Sequence, residues 1–122
     1  MITDTIAAIA TPLMASAIGI IRISGDAVPK LIAQFFNTSF KTLQPRKMIT
    51  DTFIDPNTNA AIDDCCFVYF KAPHSYTGED TVEISCHGNP VILDYVLSII
   101  CQKHEVHSKP GEFTERAFMN NK

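Results

Sequence analysis

"TVEISCHGNPVILDYVLSIICQK", residues 81–103, decides how the chain folds. Its first seven residues alternate. Val82, Ile84 and Cys86 share one face, and Thr81, Glu83, Ser85 and His87 share the other, the period of a strand with one covered side. Asn89-Pro90 then reads as a helix start, with Asn as the cap and Pro in the first turn. From Val91 to about Lys103 the polar positions are Asp94, Ser98 and Gln102, a narrow stripe spaced by four. Val91, Ile92, Leu93, Tyr95, Val96, Leu97, Ile99 and Ile100 are apolar. A surface helix carries a wider polar face, so this one is expected to lie on a sheet and partly against a second subunit.

Working outward, "AIGIIRIS" from Ala17 to Ser24 is β-branched and almost wholly apolar, the pattern of a buried central strand. Residues 3–10 form a short apolar strand that Thr11-Pro12 interrupts. Asp26 is expected to cap a helix running to about Asn37, with Pro29 in its first turn and Val28, Leu31, Ile32, Phe35 and Phe36 on one face. Residues 47–54 and 62–70 read as strands around "DPNTNAA", and "KAPHSYTGED" as a loop. Residues 105–109 are expected to add a strand, and the closing stretch a short helix. The spacing predicts an α+β fold: one domain over residues 1–122, with a mixed β-sheet of about five or six strands and two or three helices packed mainly on one face.

The 122 residues suffice for a core without disulfides or metals. A net charge of -3 argues against a surface that grips nucleic acid on its own. No apolar run approaches the roughly 20 residues that span a bilayer. The N-terminus carries an acid and no basic region, so it does not read as a signal peptide. Cys65, Cys66, Cys86 and Cys101 form no C-x-x-C and lie in apolar or strand-like stretches. They read as reduced, buried thiols, and no metal is expected, since His104-x-x-His107 lacks a paired cysteine motif.

Arg22 stands in the most hydrophobic strand, where a lone guanidinium is costly. It is either half of a structural ion pair, with Glu83 the natural partner, or a fork that holds a carboxylate or planar polar ligand. Glu83 is either a solvent-facing strand residue or an acceptor for N–H donors of a ligand on the sheet. His87-Gly88-Asn89 leads into a helix N-terminus, a place that suits an anion. There is no P-loop and no G-x-G-x-x-G. No Ser-His-Asp or Cys-His arrangement can be assigned, and no catalytic residue is expected.

Four stretches together resemble one family: "DTIAAIATP" (4–12), "GIIRISG" (19–25), "YTGEDTVEISCHGNPVIL" (76–93) and "KPGEFTERAFMNNK" (109–122). In order and spacing they are similar to the N-terminal domain of the MnmE (TrmE) tRNA-modification GTPases. The resemblance implies a longer polypeptide, continuing past Lys122 into a helical domain with an inserted GTPase domain. It implies a homodimer and a bound tetrahydrofolate derivative, 5-formyltetrahydrofolate, contacted by residues that match Arg22, Glu83 and Lys122. It implies a cytoplasmic parent protein that binds GTP, magnesium and potassium through domains absent here. That protein modifies the wobble uridine of tRNA with the FAD protein MnmG. Met14, Ser16 and Ala17 stand where the family commonly has glycines. A dimerisation module without folate binding is the alternative.

Overall fold

The computed structural model describes residues 4–10, 18–38, 43–104 and 112–121. Eight elements follow in order: β1 (Ile6–Ile9), β2 (Ile18–Ser24), α1 (Val28–Phe35), β3 (Met48–Ile54), β4 (Ala61–Phe70), β5 (Thr81–His87), α2 (Pro90–His104) and α3 (Glu112–Met119). The strands form one five-stranded sheet in the order β1-β2-β5-β4-β3. Its pairings are all antiparallel among the described residues. The expected α+β class is therefore what the chain forms. The expected strand at 105–109 lies outside the described residues, as do Met14, Ser16 and Ala17.

The alternation in β5 sets the two sides of the sheet. Val82, Ile84 and Cys86 join Ala7, Ile21, Ile23, Phe53, Cys65 and Phe67 in one buried cluster with the apolar faces of α1 and α2. Phe35 of α1 and Phe36, its C-cap, meet Phe53 at ring distances of 5.0 and 5.7 Å, and Phe36 meets Phe67 at 4.7 Å. Such ring pairs contribute roughly 0.5–1.5 kcal/mol each beyond their burial. They fix α1 over the β3–β4 side.

Helix α2 starts as its sequence requires, with the Val91 N–H donating to Asn89 Oδ1 at 2.8 Å. Leu93, Val96, Ile99 and Ile100 are buried against the sheet. The chain's own sheet thus covers most of the long apolar surface, and Val91 and Tyr95 remain exposed. Close seating depends on Gly19 in β2, where a Cβ would lie 2.3 Å from Leu93 Cδ1.

Helix α1 corrects one expectation. Its cap position is Ala27, not Asp26, and no side chain of its own caps it. The Ala27 N–H donates instead to Thr5 Oγ1 at 3.1 Å. Gly25, at φ +142°, makes the turn that brings the helix start against Thr5; a Cβ there would lie 2.5 Å from the Thr5 Cα. That close approach and backbone angle favour glycine.

Candidate functional site

The face of the sheet opposite α1 and α2 carries the residues of interest. Strand register places Ala8, Arg22, Glu83, Val68 and Met48 in one row across all five strands. Arg22 and Glu83, which the sequence singled out separately, are direct cross-strand partners. Arg22 Nε and Nη2 donate to Glu83 Oε2 at 2.9 and 2.7 Å. The pairing half of the sequence reading is therefore what the fold builds.

The pair is not sealed. Its side chains keep 28% and 31% of their exposure. Both bonds converge on one carboxylate oxygen. Glu83 Oε1 and Arg22 Nη1 are left without a hydrogen-bond partner among the described residues. The guanidinium lies 5.3 Å from the centre of the Tyr76 ring and 5.9 Å from that of Phe113. These rings come from the loop before β5 and from α3, and the Tyr76 hydroxyl is 2.9 Å from Thr114 Oγ1. A forked cation, a carboxylate with a spare oxygen and two aromatic walls can hold a flat, polar heterocycle. Lys122, the third residue implied by the resemblance, lies outside the described residues.

Behind this site is a buried cluster that sequence reasoning missed. Arg116 of α3 is wholly withdrawn from solvent. Its Nη1 donates to the Asp4 carbonyl oxygen at 2.7 Å and to Glu79 Oε1 at 3.0 Å. Its Nη2 donates to Asp4 Oδ1 at 2.8 Å and to Glu112 Oε2 at 3.0 Å. Burial works against its charge. The hydrogen bonds from Glu79 and Glu112, with the field of Glu79 and Asp4, outweigh that and hold its pKa above the ordinary value. Glu79 also accepts from Ser24 Oγ at 2.8 Å, and Ser24 Oγ is 2.7 Å from Thr77 Oγ1. Asn120 Nδ2 donates to the Thr77 carbonyl at 2.8 Å. The T-G-E-D loop, the first strand and the last helix are thereby tied together, with Tyr76 and Phe113 set over Arg22. A cleft of about 310 Å³ lined by Pro45, Arg46, Lys71, Ala72 and His74 does not include either member of the Arg22–Glu83 pair.

The sequence profile described as "GTP-binding protein TrmE N-terminus" matches residues 5–122. The chain belongs to this TrmE N-terminal family. It is 43% identical over its whole length to the tRNA modification GTPase MnmE of Syntrophus aciditrophicus, covering 27% of that protein. It is 44% identical over 98% of its length to MnmE of Aquifex aeolicus, covering 26% of it. Against MnmE of Legionella pneumophila strain Paris the identity is 45%, with all of this chain and 27% of the relative covered. The chain thus spans about a quarter of the length of these relatives. Among the described residues, no helix of this TrmE N-terminal domain is long and apolar enough to cross a membrane.

The stretches that carry the resemblance divide into two physical roles. Arg22 and Glu83 stand on the open sheet face, whereas Glu79, Glu112 and Arg116 hold the elements around it.

Proposed function

We propose that this chain is the folate-binding, homodimer-forming N-terminal module of a GTPase that modifies the wobble uridine of tRNA. The observation that carries the reading is the Arg22–Glu83 pair, about a third exposed, with the rings of Tyr76 and Phe113 beside its guanidinium. A pterin presents adjacent N–H donors, which a carboxylate accepts as a pair. Glu83 is the acceptor for that edge, Arg22 binds a carbonyl or carboxylate oxygen, and Lys122 supplies a third contact. The ligand is 5-formyltetrahydrofolate or a related one-carbon derivative.

Homodimerisation is supported by the sheet's second face, which neither α1 nor α2 covers among the described residues. Ile18 and Met48 are exposed there at 58% and 65%. In the parent protein, GTP, magnesium and potassium belong to other domains, MnmG and tRNA are the partners, and the cytoplasm is the compartment. This module alone hydrolyses nothing.

Isothermal titration of 5-formyltetrahydrofolate into the protein and its Glu83→Ala variant tests the reading. Saturable binding by the wild type that the variant loses supports it. A folded, dimeric wild type that takes up no folate leaves a dimerisation module instead.

A further inference from the structure

We propose that Asp63, Cys65 and Cys86 form a zinc-binding site, with His87 holding the Asp63 carboxylate from outside. The site lies at the end of β4 and β5 and shares no residue with the folate reading. The sequence reading expected no metal because it found no paired cysteine motif. Strand register supplies the pair instead. One step beyond the Cys66↔Ser85 partners, Cys65 and Cys86 face each other on the core side.

The spacing suits a tetrahedral ion. The two sulfurs lie 3.6 Å apart, and Cys65 Sγ is 3.9 Å from Asp63 Oδ2. All three ligand atoms fall within 4.8 Å of one another. On tetrahedral zinc, bonds of about 2.3 Å to sulfur and about 2.1 Å to oxygen set neighbouring sulfurs ~3.8 Å apart, and sulfur and oxygen ~3.6 Å apart. Two of the three edges, between the sulfurs and from Cys65 to Asp63, therefore already match such a site to within a few tenths of an ångström.

The surroundings point the same way. The Asp63 side chain is only 7% exposed, beside two buried thiols. Burying a carboxylate there is costly without a cation or full hydrogen bonding. His87 meets part of that need. Its Nδ1 is 2.5 Å from Asp63 Oδ1, and its backbone N–H donates to Oδ2 at 3.0 Å. Carboxylates that ligate a metal are in turn hydrogen-bonded from outside, and His87 supplies such bonds here. Its own side chain is 67% exposed. A cleft of about 180 Å³ lined by Ile18, Asp64, Cys66, Ser85, Cys86 and His87 lies on the open face beside the exposed His87 ring.

Two thiolates exclude magnesium and calcium as preferred ions and select a softer one. With a carboxylate as third ligand and sulfurs at a tetrahedral edge, zinc fits best. Binding converts both thiols to thiolates and releases their two protons to solvent. No electron is transferred.

Cobalt(II) titration of the reduced, chelator-stripped protein tests the site. One equivalent should produce a thiolate-to-metal charge-transfer band with tetrahedral ligand-field absorption, and zinc should displace it. Cys65→Ala and Cys86→Ala should lose the band, while Cys66→Ala and Cys101→Ala keep it. His87→Ala changes an exposed side chain and should weaken affinity about 10- to 100-fold. If a core cysteine variant fails to fold, the wild-type spectrum and the His87→Ala shift decide. A folded, reduced wild type without a thiolate band overturns the proposal. So does a band that survives Cys86→Ala, or a Cys65–Cys86 disulfide that persists in reductant and blocks cobalt.

Discussion

Arg116 and Glu79 meet at 3.0 Å in a position where the arginine has no contact with solvent, although 37 residues separate them in the chain. That contact joins the two longest stretches of the resemblance, residues 76–93 and 109–122, and sets the loop and helix that flank Arg22.

Removing Arg116 should therefore cost far more than removing a surface charge. Arg116→Met leaves Glu79 and Glu112, both largely buried, without their cation. A loss of about 3–5 kcal/mol is expected, as for other broken buried pairs. Arg116→Lys should recover little of it, because one ammonium cannot reproduce a fork that serves three acidic residues. Chemical denaturation of the three proteins measures this.

Gly19 and Leu93 give a second prediction. Gly19→Ala places a Cβ 2.3 Å from Leu93 Cδ1 inside the core, and Leu93 is 1% exposed. Overpacking of this kind costs about 1–3 kcal/mol. The double variant Gly19→Ala with Leu93→Ala should lose less than the sum of the single changes, because the second change removes the atoms that clash. A double-mutant cycle reads the coupling directly.

Legibility follows sequence distance. The alternation of β5, the Asn89 cap and the closing helix were readable because each is a local pattern. The Arg22–Glu83 pair was readable in part, since a lone charge in an apolar strand demands a partner. The helix α1 cap was misread because its acceptor, Thr5 Oγ1, lies 22 residues upstream of Ala27. The Arg116 cluster was missed for the same reason: its Asp4 contacts span 112 residues. Nor could spacing show that Cys65 and Cys86 oppose each other, because only the register of β4 on β5 brings them together.

Alkaline pH should reveal Tyr69. Burial, then the charge of Asp80 and a hydrogen bond to it, push its phenol from 10.0 up to about 12. The fold thus favours the neutral phenol. Its contribution is present in full below the unfolded pKa near 10 and is lost as pH rises towards 12. The stability difference between the wild type and Tyr69→Phe should fall across that window and stay level below it. Denaturation midpoints at a series of pH values check the sign.

The central claim is that folate sits on the open sheet face, between the rings that flank Arg22. Intermolecular nuclear Overhauser contacts between bound 5-formyltetrahydrofolate and a protein selectively labelled at Phe and Tyr test it most directly. The account predicts contacts from the pterin to Tyr76 and Phe113, lost in Glu83→Ala. Saturable binding whose contacts come from other rings alone would contradict it.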